Sequence, residues 1–270
     1  MAGEIRNDRL TPALAARYAA TFDREPQATA PQGIHWCLCT PDAATAALGP
    51  DGHPANDGFL PPSPLPRRMW ASSEIVFHAP IPIGAAIVRS SRVANISEKA
   101  GRSGALLFVS IAHETRADGV LAVEECQTIV HRAAAHAGAT TLPSQTTLDD
   151  AGHWDWHREV LPTAPLLFRY SALTFNSHRI HYDLPYACSE GYPGLVVQGP
   201  LMASLLLDLA DRMRGADALA RFTFRAIAPA FADAPLQLLG RIESDSVTMR
   251  VRSTDGNDHI IATATMARDP

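Results

Sequence analysis

Nine residues, FNSHRIHYD (175–183), bring together two histidines, an asparagine, an arginine and an aspartate between two apolar stretches. Polar runs of this density usually form solvated loops, so the apolar flanks call for a chemical explanation. A histidine such as His181 titrates near neutrality and can take a proton from water. Asn176, five positions earlier, can orient that water or the ring through its amide, although an amide cannot relay a proton. Further on, Gly199 precedes Pro200 at the expected start of a helix, where unpaired N–H groups and the helix dipole favour negative charge. A base, an orienting amide and an anion-stabilising helix start are the parts that proton transfer to or from a substrate developing negative charge would use.

The elements that must position these residues can be read along the chain. LTPALAARYAATF (10–22) has helical spacing after a Thr-Pro start. Residues 34–70 are irregular and carry GPDGHP and GFLPPSPLPRR. SEIVFHAPI, AAIVRSSRVANI, GALLFVSIAHETR and VLAVEECQTIVHR then alternate like strands of an antiparallel sheet. The second half repeats the theme with LLFRYSALTF, FTFRAIAPAF, LQLLGRIESD, SVTMRVRSTD and HIIATATMA, all expected as strands. Between them GPLMASLLLDLADRMRG (199–215) is apolar on most sides over three turns, as a helix wrapped by a sheet must be. A long helix cradled by antiparallel sheet, in two copies, predicts an α+β double hotdog fold of two antiparallel sheets with the long helix intact only in the C-terminal half. The expected division is a degenerate N-terminal hotdog-like domain (1–135), a linker (136–164) and a C-terminal hotdog domain (165–270).

At 270 residues the chain exceeds the usual domain of about 100–200, in keeping with two units. A net charge of -5 speaks against a nucleic-acid-binding face. With no long apolar run and no signal-peptide core, a soluble cytoplasmic protein with no membrane partner is expected. His35, Cys37 and Cys39 alternate in IHWCLCT as on one face of a strand, but a metal site would need a fourth ligand and a wider loop. No metal is expected there.

The order of apolar segment, NSHRIHYD, GYPGLVVQGPL and buried helix resembles the MaoC-like hydratase/dehydratase family. That family's motif has an Asp where this chain has Asn176 and a catalytic His where it has His181, with His178 and Arg179 replacing a common Asn-Pro. HWCLC, LGPDGHP, GFLPPSPLPRRMW and EKAGRSGALLFVSIAHE are similar to the N-terminal half of its double-hotdog branch. The resemblance covers about residues 34–132 and 165–267. It implies a hydro-lyase acting on an acyl-CoA thioester with no cofactor beyond the coenzyme A of the substrate, the substrate and coenzyme A pocket lying in residues 1–135 and catalysis in 165–270. In such a hydration a base takes a proton from water as it attacks Cβ, donors hold the enolate oxygen and a proton is delivered to Cα. The expected substrates are short dicarboxylic enoyl-CoAs such as 3-methylfumaryl-CoA (mesaconyl-C4-CoA) or itaconyl-CoA. A 3-hydroxyacyl-thioester dehydratase of fatty-acid metabolism, a hotdog thioesterase and a non-catalytic thioester-binding subunit stand as alternatives.

His181, Asn176 and Gly199 are then the expected catalytic residues. Arg67, Arg68, His178, Arg179 and Gln198 are expected to contact substrate, Arg67 and Arg68 facing a phosphate of coenzyme A. Gln198 sits where relatives often carry His. A homodimer is a further expectation from the way hotdog domains pair.

Overall fold

The computed structural model describes residues 3–25, 27–55, 58–63, 65, 67–101, 104–133 and 153–267. The first half contributes strands β1 (Gly3–Arg9), β2 (Arg67–Phe77), β3 (Ala86–Gly101), β4 (Gly104–Ala117) and β5 (Val120–Arg132). The second contributes β6 (Trp156–Val160), β7 (Leu219–Ala226), β8 (Leu236–Glu243), β9 (Ser246–Ser253) and β10 (Asp258–Met266). All ten lie in one sheet, ordered β1-β3-β4-β5-β2-β7-β10-β9-β8-β6, and every pairing is antiparallel. From the centre outward both halves follow the same sequence: second strand, fifth, fourth, third, first. The equivalent strands β2 and β7 pair antiparallel at the centre, from Ser72↔Arg225 to Val76↔Arg221. The chain is therefore a duplicated unit about an approximate two-fold axis, and the two expected sheets are continuous. This is the double hotdog arrangement.

Four helices accompany the sheet among the described residues: α1 (Pro12–Thr21), α2 (Ala164–Thr174), the short α3 (Leu184–Ser189) and α4 (Gly199–Arg214). The Thr11 hydroxyl caps α1 by accepting from the Leu14 N–H at 3.1 Å. The central helix is α4. Leu201, Leu205, Leu206 and Leu209 are buried against Phe222, Phe224, Val247 and Ile260 of the wrapping strands. Each such leucine contributes roughly 1.5–3 kcal/mol of burial. Two acidic residues share this buried helix, and both are matched. Asp208 accepts from Arg158 of β6 at 2.6 Å and from Arg212 at 2.8 Å, and Asp211 pairs with Arg24. A buried charge is tolerated only when paired in this way. Between α1 and β2 the first half has no counterpart of α4 among its described residues; short 3-10 turns at Ile34–Cys37 and Thr45–Ala47 lie on that connection. No helix of the described residues is long and apolar enough to cross a membrane.

Two expectations are corrected. LLFRYSALTF is a helix, α2, not a strand: Pro165 sits in its first turn, and Leu167, Tyr170 and Leu173 bury one face at helical spacing while Phe168 is exposed. IHWC is a 3-10 turn entered through Gly33 at φ 99°. Its Trp36 indole donates to the buried Glu125 carboxylate of β5 at 3.2 Å, so His35, Cys37 and Cys39 share no strand face. Of the stretch expected as a linker (136–164), residues 136–152 lie outside the described residues, and Trp156–Val160 is edge strand β6.

Candidate active site

After α2 the chain turns at Phe175, whose φ of 50° ends the helix in the left-handed region. Asn176 follows, and its Oδ1 accepts from the His178 N–H at 3.0 Å, closing a tight turn. A 3-10 turn, Arg179–His181, then brings His181 inward, where it is buried. The backbone leading into α4 runs alongside this turn. The Val196 N–H donates to the Ile180 carbonyl at 2.9 Å, and His181 Nδ1 donates to the Val196 carbonyl at 2.7 Å. That hydrogen bond sets the neutral tautomer, leaving Nε2 as the acceptor. Burial pulls the His181 pKa down to about 4, against the raising effect of the Val196 bond, and the neighbouring His53 lowers it further. The ring is thus neutral at pH 7 and carries a lone pair at Nε2.

Three residues beyond Val196, Gly199 opens α4, so its N–H has no acceptor within the helix. A Cβ at Gly199 would meet only the Trp70 carbonyl oxygen, at 3.8 Å, so packing within the protein does not demand glycine here. Gln198, the residue before the helix, is buried. Its Nε2 donates to the Leu167 carbonyl and the Ser171 hydroxyl of α2, each at 2.9 Å, while Oε1 has no hydrogen-bond partner among the described residues. Gln198 therefore ties α4 to α2.

The structure adds a partner that sequence reading missed. The loop of LGPDGHP from the first half docks onto FNSHRIHYD. Arg179 N–H donates to the Asp51 carbonyl at 2.9 Å, Arg179 Nη1 to the Pro50 carbonyl at 2.8 Å, and the Ser177 hydroxyl to the Gly52 carbonyl at 2.5 Å. Gly52 has φ 86°, and a Cβ there would collide with the Ser177 carbonyl oxygen. Docking sets His53 against His178 with ring centroids 4.2 Å apart, and His178 against His181 at 5.4 Å, edge to face. Asp51 holds His53 twice: Oδ1 accepts its backbone N–H at 3.0 Å, and Oδ2 lies 3.1 Å from Nδ1. Burial pushes the Asp51 carboxyl up, but these bonds more than offset it and hold the pKa at about 2. Burial, then His53 and His181, pull His178 down to about 2. Asp51, His53 and His178 offer ligand atoms within 4.8 Å of one another, the one group among the described residues with metal-ligand spacing.

The expected contact residues divide. Arg68 bears on His178 through its charge, which disfavours protonation of that ring. Arg67 opens β2 instead, and its guanidinium is held by Glu190 through the carboxylate at 2.6 Å and the backbone carbonyl at 2.7 Å. Arg179 pairs with Asp183 at 2.7 Å and stacks over Tyr186 at 4.3 Å, bracing the turn that carries His181. Asp183 also caps α3 through the Tyr186 N–H. A cavity of about 280 Å³ lies elsewhere, between α1 and α4, and includes none of these residues.

A duplicated antiparallel sheet around one long helix, with a neutral histidine fastened to the backbone three residues before that helix, is a hotdog fold of the MaoC-like hydratase and dehydratase class. The chain belongs to the hydroxyacyl-thioester dehydratase type 2 family, whose pattern matches residues 33–232. It is 43% identical to the mesaconyl-C4-CoA hydratase of Chloroflexus aurantiacus over 93% of this chain and 91% of that protein. It is also 42% identical to the mitochondrial hydroxyacyl-thioester dehydratase type 2 of Schizosaccharomyces pombe, over 28% of this chain and 27% of that one. Among solved structures, HtdX of Mycobacterium tuberculosis superposes with a TM-score of 0.72 at 19% identity, covering 98% of this chain and 100% of its own. A MaoC-like dehydratase from Phytophthora capsici gives 0.76 at 14% identity, covering 99% and 95%. These structural likenesses concern the fold.

Proposed function

We propose that this protein adds water reversibly across the double bond of an α,β-unsaturated acyl-CoA, with a short dicarboxylic enoyl-CoA such as mesaconyl-C4-CoA or itaconyl-CoA as substrate. The observation that carries this reading is the 43% identity, over 93% of this chain, with a mesaconyl-C4-CoA hydratase. In the proposed mechanism His181 Nε2 takes a proton from water as the oxygen attacks Cβ. Electron density moves from the double bond onto the thioester oxygen, which the Gly199 N–H at the head of α4 receives. Asn176, whose Oδ1 is committed to the His178 N–H, offers its amide N–H groups to the attacking water. Arg68, whose charge is felt at His178, is the arginine proposed to draw in a phosphate of coenzyme A. Charge developing on a thioester oxygen beside a helix start needs no metal or redox group, so coenzyme A enters only as part of the substrate.

A second reading, dehydration of a 3-hydroxyacyl thioester in fatty-acid metabolism, has support in the family match. The chemistry is the same reaction reversed, on a different acyl chain. Incubating the protein with a panel of enoyl-CoA and 3-hydroxyacyl-CoA thioesters, read by mass spectrometry, tests both. Gain of water by mesaconyl-C4-CoA or itaconyl-CoA is expected. Loss of water only from long 3-hydroxyacyl thioesters would favour the second reading, and release of free thiol would mark a thioesterase.

A further inference from the structure

The proposed hydration leaves one group unassigned. The enolate must receive a proton at Cα, and Asn176 cannot supply one because an amide has no proton to give at neutral pH. The described surroundings of His181 contain an acid that can. Asp51 reaches the site from the other half of the chain, held there by the bonds from Arg179 and Ser177 to its loop. Its carboxylate grips His53 through both the backbone N–H and ring Nδ1. His53 then packs face to tilted face on His178, which stands edge-on to His181. The order Asp51, His53, His178, His181 is thus a carboxylate followed by three imidazoles.

Resting on the hydratase reading above, we infer that Asp51 and His53 are the acid half of the active site, with His53 as the proton donor to Cα and Asp51 as its positioning residue. The carboxylate that the family motif would place at position 176 is supplied from the first half instead.

The step balances. Water loses a proton to His181 Nε2 as its oxygen bonds to Cβ, and the double-bond pair moves towards the thioester oxygen. Protonated His53 then gives its proton to Cα, the enolate pair forms the new C–H bond, and the carbonyl re-forms. His181 ends protonated and His53 neutral. The proton returns from His181 to His53 by way of the intervening His178 ring or a water beside it, and the protein is reset. No oxidant, reductant or metal enters. The same arrangement explains why a glycine at φ 86° sits between Asp51 and His53: only glycine lets the loop lie flat on the Ser177 carbonyl and bring both side chains to His178.

The test uses the full chain with the thioester that the wild-type protein hydrates best. His53→Ala should lower kcat by about 10²–10³ with KM within about threefold, the pattern of a lost proton donor rather than lost binding. Added imidazole should restore at least about tenfold of that loss, which a merely structural residue would not allow. His53→Gln, closer in size, should melt like wild type and show the same kcat deficit without rescue. Asp51→Asn keeps an oxygen for the His53 N–H and should lose less, about tenfold. Full kcat in folded His53→Gln or His53→Ala, while His181→Ala is inactive, would overturn this inference and leave the hydratase reading standing. A wild-type protein that hydrates nothing in the panel would overturn both. Stoichiometric metal held by Asp51, His53 and His178, with turnover lost on its removal, would overturn the proton-donor role in favour of a metal site.

Discussion

Lowering the pH should strip stability from the folded protein through His181 in a way that one substitution removes. The ring is buried with Nδ1 bonded to the Val196 carbonyl, and burial holds its pKa at about 4. In the unfolded chain the same ring takes up a proton near the ordinary value of about 6.5. Between those values the unfolded state binds the extra proton, so stability rises with pH there. The contribution is fully present above about pH 6.5 and is lost as pH falls towards about 4. A difference of about 2.5 units corresponds to about 3 kcal/mol, of which about 2.5 should be gone by pH 4.5. Urea unfolding of the wild type and His181→Gln from pH 7.5 to 4.5 measures it. The other histidines with depressed values, His113 and His259, are common to both proteins and cancel. His178 cancels except for the small relief it gains when His181 is gone. The wild type should lose about 2–3 kcal/mol more than the variant over that range. Parallel stability curves, or an imidazole resonance of His181 titrating near 6.5, would refute the reasoning. The same depressed value predicts that the acid limb of kcat/KM, where the base is lost, lies near pH 4 rather than near 6.5.

Gly52→Ala must move the docked loop, because the backbone has φ 86° and the added methyl meets the Ser177 carbonyl oxygen. Activity should fall by about 10²-fold with the melting temperature down by several degrees, checked by kinetics and calorimetry; unchanged activity would show that the loop plays no part. Gly240→Ala should cost roughly 1–3 kcal/mol in chemical unfolding, since its Cβ would lie 2.6 Å from the Trp156 ring that covers β8. Asn176→Asp keeps the oxygen that accepts the His178 N–H, so the fold should hold while a new titrating carboxylate beside the histidines alters the acid limb of the rate profile. An identical profile would mean that position 176 lies outside the reacting groups.

Much of this fold is legible in the sequence because its signals are local. The alternation in β2 to β5 and β7 to β10 marks strands, and the all-round apolar GPLMASLLLDLA marks a wrapped helix. LLFRYSALTF misleads because Phe, Tyr and Leu suit a strand as well as a buried helical face. The duplication resolves it: Arg17-Tyr18 within α1 and Thr21-Phe22-Asp23 at its end recur as Arg169-Tyr170 within α2 and Thr174-Phe175-Asn176 at its end. Both tyrosines are buried, and Tyr170 bonds the Ser204 hydroxyl of α4 at 3.1 Å. Edge strands β1 and β6 escape notice since GEIRNDR and WHREV are mostly polar, and only pairing to β3 and β8 makes them strands. Within the site, FNSHRIHYD announces itself because its polar residues cluster. Asp51 and His53 do not, for their partners lie 125 positions away and a DGH turn alone looks like any loop.

The measurement that bears most directly on the central claim is kcat for His181→Ala on the thioester that the wild-type protein hydrates, with circular dichroism and melting confirming the fold. A fall of about 10²–10⁴ with little change in KM is expected for loss of a general base. Near-normal hydration by the folded variant would contradict the assignment of His181, and with it the active site built around the start of α4.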